Sequence, residues 1–236
     1  MTSTGDSIHA PNAGWSFGGD VPDHFEDHVS KSVPLYDAGH DLVLKIADFF
    51  VDDHSVCFEL GCSTAALTRK LAERNAHRRT RFIGVDIEES MTRKAAELSA
   101  GLPNVSIVTA DVLDLDFEPA DLIIAYYTVQ FVRPRHRQEL IDRVYRSLNW
   151  GGAFLLFEKV RGPDARFQDL FTALYTDYKL DRGYEPEEII GKARSLKGVL
   201  EPFSSQGNLD LLHRAGFVDI TTVMKYVCFE GFLAIK

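Results

Sequence analysis

Three carboxylates stand at the ends of three apolar runs, and each is followed by residues that turn the chain. Glu59 precedes Leu60-Gly61-Cys62-Ser63-Thr64-Ala65, Asp86 closes Ile83-Gly84-Val85, and Asp111 closes Ser106-Ile107-Val108-Thr109-Ala110. An apolar run ending in an acid reads as a buried strand whose tip carries a hydrogen-bond acceptor. In open α/β sheets ligands lie outside those carboxyl ends, and acids there accept from ribose hydroxyls. The three together predict a nucleoside-binding edge.

The turn after the first run narrows the nucleoside. Gly61 lets the backbone approach a ligand closely, and the helix that follows offers unpaired amides. A dinucleotide fingerprint would place three glycines here. Gly61-Cys62-Ser63-Thr64-Ala65-Ala66 holds one, and a Walker lysine is missing. Glu59 would repel a pyrophosphate but suits a ligand with an ammonium and a sulfonium group and no phosphate. S-adenosylmethionine is that ligand. Glu59 and the turn residues Gly61, Cys62 and Ser63 are expected at its amino-acid end, and Asp86 across the two ribose hydroxyls. Asp111 is expected at the adenine amino group, with Val112 against the ring.

These residues need elements to position them. Apolar patterning predicts strands near 55–60, 81–86, 105–109, 121–126 and 153–158, with helices near 64–76, 89–100 and 135–149. Such alternation implies a doubly wound, Rossmann-like, mostly parallel sheet with helices on both faces. Two helices between Val21 and Phe50 precede it, broken at Ser32-Val33-Pro34. Residues 162–200 read as a helical insertion or lid after the fifth strand, with Phe167, Phe171, Leu174, Tyr175 and Tyr178 on one face. A helix near 206–215 stops at Gly216, and strands near 217–223 and 226–235 follow, the last antiparallel. Residues 1–20, rich in Gly, Ser, Thr and Asp, are expected to be mobile unless pinned. Residues 21–236 read as a single domain.

Bulk properties exclude other classes. A net charge of −9 over 236 residues argues against nucleic-acid binding by phosphate neutralisation. Arg133, Arg135, His136, Arg137 and Arg143 form a local basic cluster, but Glu139 and Asp142 interrupt it, so it reads as a solvated helix face. Cys57, Cys62 and Cys228 have neither metal spacing nor a disulfide framework. His24 and His28 stand four apart on a predicted helix, a spacing that metals use, but a lone pair is more often a surface feature, and no metal is assigned. No apolar run approaches the roughly 20 residues that span a bilayer. A cytoplasmic enzyme with no membrane partner is expected.

Further motifs carry a family resemblance. Lys31-Ser32-Val33-Pro34-Leu35-Tyr36, Leu60-Gly61-Cys62-Ser63, Thr128-Val129-Gln130-Phe131, Leu148-Asn149-Trp150-Gly151-Gly152-Ala153, Glu158-Lys159, Gly183-Tyr184 and Ala215-Gly216-Phe217 resemble the carboxy-S-adenosylmethionine synthases. Members of that family look like class I methyltransferases but move a carboxyl group from prephenate onto the sulfonium carbon, and they are homodimers. The resemblance implies cofactor contacts at Tyr36, Gly61, Cys62, Ser63, Asp86, Ile87, Asp111 and Val112, and a homodimer here. Two family residues are replaced. Tyr126 stands where the family has an asparagine, and Ala193 where an arginine clamps the added carboxylate, with Arg194 beside it.

A carboxylate clamp needs a guanidinium or equivalent donor. The sequence reading is therefore a methyltransferase that uses S-adenosylmethionine on a small anionic metabolite, such as an α-keto or amino acid. The alternative is a carboxy-S-adenosylmethionine synthase with its clamp re-formed on Arg194. A third reading is a catalytically silent cofactor-binding subunit. Tyr126, Tyr127, Gln130 and Glu158 are the catalytic candidates, Tyr126 also touching the cofactor. Lys159, Tyr175, Tyr178, Tyr184 and Arg194 are the substrate-binding candidates.

Overall fold

The computed structural model describes residues 2–5, 8–18 and 21–236. An antiparallel ribbon, Thr2–Ser3 (β1) with His9–Ala10 (β2), precedes helices Val21–Ser32 (α1) and Tyr36–Ala47 (α2). Strands and helices then alternate: Val56–Leu60 (β3), Ala66–Arg74 (α3), Arg81–Asp86 (β4), Glu89–Ser99 (α4), Val105–Thr109 (β5), Ala120–Tyr126 (β6), Pro134–Ser147 (α5) and Leu148–Lys159 (β7). Helices Ala165–Asp181 (α6), Pro186–Ser195 (α7) and Ser205–Ala215 (α8) follow, then Asp219–Tyr226 (β8) and Phe229–Ile235 (β9).

The main sheet runs β5-β4-β3-β6-β7-β9-β8. Its first five strands are parallel, whereas β9 runs antiparallel to both β7 and β8. The expected doubly wound sheet is present, with its helical insertion after β7. β3 pairs with β4 on one side and β6 on the other, so the chain order reverses there. Helices depart to opposite faces at such a switch and leave a crevice above the strand ends.

Alternation along the strands builds two cores. Phe154 and Leu156 of β7 pack with Leu140, Ile141 and Val144 of α5 and Leu211 and Leu212 of α8. Leu155 and Phe157 pack on the other face with Val43 of α2 and Leu67 and Leu71 of α3. Fully burying one such side chain contributes about 1.5–3 kcal/mol. Local chemistry sets the helix starts. Asp164 accepts from Phe167 N at 3.0 Å, Glu185 and Glu188 form a capping box on α7, and Pro134 and Pro186 open α5 and α7.

Boundaries differ from the sequence expectation in two places. The helix predicted from residue 64 begins at Ala66, because Ser63 and Ala65 take left-handed φ values of 50° and 61°. β7 begins at Leu148, paired with Ala120 across a register shift. The N-terminal segment is pinned rather than loose where it is described. Ala13 N donates to Arg194 O at 2.9 Å and Trp15 N to Ser195 O at 3.1 Å, and Ile8, Ala10 and Trp15 are buried with Val21 and Met91. Met1, Asp6, Ser7, Gly19 and Asp20 lie outside the described residues.

Candidate active site

A cavity of about 1050 Å³ opens above the crossover between β3 and β6. Ligand sites run roughly 300–1,000 Å³, so it has room for a nucleoside cofactor and a second small molecule.

One half is built from the tips of β3, β4 and β5. Gly61 takes φ 71°, and a Cβ there would lie 2.3 Å from Thr128 Oγ1, so both backbone and space demand glycine. Gly61 N and Cys62 N donate to Val85 O at 2.7 and 2.9 Å, locking the turn to β4. Asp86 Oδ2 accepts from Ser63 N at 2.8 Å and Oδ1 from Glu88 N at 3.0 Å. A carboxylate has about four acceptor sites, so each oxygen keeps capacity for a ribose hydroxyl. Burial pushes the Asp86 carboxyl up, and the backbone amides pull it part of the way back. Asp111 Oδ1 accepts from Leu113 N at 2.9 Å, Val112 is buried, and Ile87 lies 63% exposed at the rim.

Glu59 reaches the cavity, but its Oε2 is committed: it accepts from Thr68 N at 2.8 Å and from the Thr68 hydroxyl, capping the first turn of α3. Burial pushes this carboxyl up to about 8, against the two Thr68 bonds. Tyr36 lines the same space, and burial raises its phenol. An acidic, phosphate-repelling half with Asp86 free to accept on both oxygens fits S-adenosylmethionine.

The other half lies over β6 and β7 and under α6. Tyr127 takes φ 61° and its buried hydroxyl has no hydrogen-bond partner. Gln130 staples the wall, its Nε2 donating to Tyr127 O at 3.1 Å and its Oε1 accepting from Lys159 N at 2.9 Å. With both amide ends used, Gln130 positions Tyr127 and Lys159. Tyr126 lines the cavity, and its hydroxyl donates to Tyr36 O at 2.7 Å. On α6, Phe171, Tyr175 and Lys179 follow at i, i+4 and i+8 and all face the cavity. Lys159 Nζ and Lys179 Nζ lie 4.4 and 4.3 Å from the Tyr175 ring centroid. Burial lowers both lysines, Lys179 to about 8 with Lys159 as the second cause.

Four predicted residues do not line the cavity. Strand alternation sends Glu158 to the opposite face from Lys159, towards Arg137 and the amides of Val129 and Gln130, where burial pushes its carboxyl up to about 8. Tyr178 packs on Tyr226 and Arg182, and Tyr184 on His28 and the turn at Gly5. Arg194 is exposed while Ala193 faces the cavity, because successive helical residues point about 100° apart. Arg194 therefore lies outside the cavity lining, whereas the sequence reading placed a re-formed clamp on it.

The basic cluster is not one solvated face. Arg137 is buried, donating to Val132 O at 2.8 Å and Gln130 O at 3.0 Å, while Arg133, Arg135 and His136 line the cavity. His28 is buried, stacked on Trp15 and in contact with the Lys192 ammonium, whereas His24 is exposed. Sequence reading missed Lys179, Arg161, Cys228 and Trp15 as cavity residues. The helical spacing from Tyr175 would have found Lys179; Cys228, in the turn between β8 and β9, carries no local signal.

The sheet order and the acid-edged crevice define a class I S-adenosylmethionine-dependent methyltransferase fold. The family described as "Methyltransferase domain" matches residues 58–152. An O-methyltransferase family protein from Burkholderia thailandensis shares the fold with a TM-score of 0.65 at 14% identity, covering 92% of this chain and 59% of that one. Human N-acetylserotonin methyltransferase in complex with SAM gives 0.59 at 18% identity, covering 86% and 52%. The chain belongs to the carboxy-S-adenosyl-L-methionine synthase family. It is 36% identical to the Staphylococcus epidermidis synthase over 226 residues, covering 94% of this chain and 97% of that protein. It is 36% identical to the Campylobacter jejuni synthase over 230 residues, covering 96% of each.

Proposed function

We propose that this protein is an S-adenosylmethionine-using carboxyl transferase that makes carboxy-S-adenosylmethionine from S-adenosylmethionine and prephenate. The observation that carries the reading is the division of one cavity into an acidic nucleoside half and a basic, aromatic half. Full-length relationship to synthases of that name supports it. Asp86 holds the ribose, Asp111 and Val112 the adenine, and the turn at Gly61-Cys62-Ser63 the amino-acid end, with Tyr36 and Ile87 beside the ligand. Lys159 and Tyr175 face the anionic carboxyl donor.

The chemistry balances without a further reactant. Loss of the ring carboxyl from prephenate aromatises the ring and expels hydroxide. A proton leaves the S-methyl carbon, the carboxyl carbon bonds to it, and proton and hydroxide form water. The enzyme's task is alignment, with reacting carbons held roughly 3–3.5 Å apart and bulk water excluded. Incubation with S-adenosylmethionine and prephenate, followed by mass spectrometry, tests this: the cofactor should gain one carboxyl group while phenylpyruvate accumulates. Unchanged cofactor with intact prephenate overturns it.

Methyl transfer to a small anionic acceptor is the second reading. Ala193 and Tyr126, standing where the family has arginine and asparagine, favour it. Accumulation of S-adenosylhomocysteine with an α-keto or amino acid acceptor would support it. A cytoplasmic homodimer is also proposed from the family resemblance, and light scattering tests the dimer.

A further inference from the structure

Among the described residues, no carboxylate answers the two lysines over Tyr175. Lys159 leaves the end of β7 and Lys179 comes down from α6, and both ammonium groups meet the same ring, at 4.4 and 4.3 Å from its centroid. Among the described residues neither is paired with a carboxylate, and neither Nζ has a hydrogen-bond acceptor. Lys179 is only 8% exposed. Other lysines and arginines of this molecule do meet carboxylates: Lys94 meets Asp23, Lys225 meets Glu230 and Arg69 meets Glu26. A cation–π contact offsets only part of what desolvating an ammonium costs. Two neighbouring cations, Lys179 buried and Lys159 half-buried, also repel each other. Such a wall is out of balance until an anion enters.

Two observations place that anion. Both lysines face the cavity half that the nucleoside does not need, and the buried, unpartnered hydroxyl of Tyr127 belongs to the same wall. The Cys228 thiol stands within electrostatic reach of Lys159, Lys179, Tyr175 and Tyr127, so these groups share one patch. Gln130 fixes the backbones of Tyr127 and Lys159 relative to each other. We propose that Lys159 and Lys179 form a carboxylate-binding subsite for the small co-substrate, with the Tyr127 hydroxyl as an additional donor. The subsite lies on β7 and α6, not on α7 where Ala193 faces the cavity and Arg194 faces out. It rests on the proposed reaction only in the choice of prephenate as the ligand.

The groups around Lys179 are Lys159, Cys228 and the Tyr175 phenol. Loss of the ammonium proton should therefore weaken carboxylate binding as pH rises through about 8. The test compares Lys159→Met, Lys179→Met and Lys179→Arg with the parent protein. Titration with S-adenosylmethionine should give affinities within about twofold of the parent, which also certifies the fold. Calorimetric titration of the S-adenosylhomocysteine-loaded proteins, which lack the S-methyl carbon and cannot react, with prephenate, and separately with phenylpyruvate, should show each Met variant about 10-fold weaker or more. Lys179→Arg should recover most of the affinity and extend binding to higher pH.

Met variants that bind both carboxylates as tightly as the parent overturn the subsite, as does a parent that binds neither. If the parent binds them but forms no carboxylated cofactor, the proposed reaction fails and the subsite stands. If carboxylated cofactor forms equally well in the Met variants, the subsite fails and the reaction stands.

Discussion

The two halves of the cavity solve opposite problems. On the β3–β5 side, Glu59, Asp86 and Asp111 each have an oxygen already bonded to backbone amides, of Thr68, of Ser63 and Glu88, and of Leu113. On the β6–β7 side, Lys159 and Lys179 rest on an aromatic face, and Tyr127 has a hydroxyl without a partner. The first half is preorganised by hydrogen bonds within the protein. The second is completed by its ligand. A site that must hold one cofactor and position one reactive anion gains from that asymmetry, because binding energy from the anion is realised only when both are present.

The strongest way to break the comparison is at Asp86. Asp86→Ala removes the expected ribose acceptor and releases two turn amides at once. Charged hydrogen bonds contribute about 1.5–3 kcal/mol each, so S-adenosylmethionine affinity should fall at least 100-fold by calorimetry. Prephenate affinity measured on the same variant should move little. A comparable loss for both ligands would mean that the halves are not independent. The lysine variants come next, with the complementary pattern: carboxylate lost, cofactor kept.

Burial sharpens the contrast through pH. Glu59 and Glu158 are both pushed up to about 8, well above their unfolded value near 4.3. A carboxyl raised in the folded state holds its proton more tightly there. Its stabilisation is complete below the unfolded pKa and is lost as pH rises through about 8. The ligand-free protein should therefore melt a few degrees lower at pH 9 than at pH 6, at roughly 2–4 °C per kcal/mol for this size. Glu158→Gln should flatten the slope, since it removes one of the two carboxyls that titrate near 8. A melting temperature that rises over this interval contradicts the buried-carboxyl account.

The nucleoside half was far more legible than its counterpart. Strand tips announce themselves because hydrophobic runs end there, and three acids in register identify one edge. The acceptor half depends on helix phase and strand face. Glu158 and Lys159 were both assigned to the site, yet neighbours in a strand point to opposite faces, and only Lys159 turns inward. Tyr175 and Tyr178 were read as one stripe, although three residues of offset and the curvature of the packing leave Tyr178 against Tyr226. Trp15 and Phe17 line the cavity from a segment whose composition looked loose. Those placements are tertiary: Trp15 meets Lys192 and Ser195 of α7 and Phe17 packs on Phe25 and Phe131, contacts that no local pattern encodes.

Tyr126 sits on the seam between the halves, and the smallest predicted effect lies there. Its hydroxyl donates to Tyr36 O, and a Cβ at Gly39 would lie 2.1 Å from the Tyr126 hydroxyl oxygen. Tyr126→Phe loses one hydrogen bond, about 1 kcal/mol of stability, and should leave turnover nearly intact. Gly39→Ala alone overpacks the seam at about 1–3 kcal/mol. In the Tyr126→Phe background the nearest ring atom, Cζ, would be 3.1 Å from the new methyl, a contact relieved by a shift of a few tenths of an ångström. The two changes should therefore couple favourably by about 1 kcal/mol in a denaturation cycle. Strictly additive costs would mean that the tyrosine swings aside without penalty. Its hydroxyl would then be available to the cavity, and Tyr126 would return as a candidate for direct contact with the reacting groups.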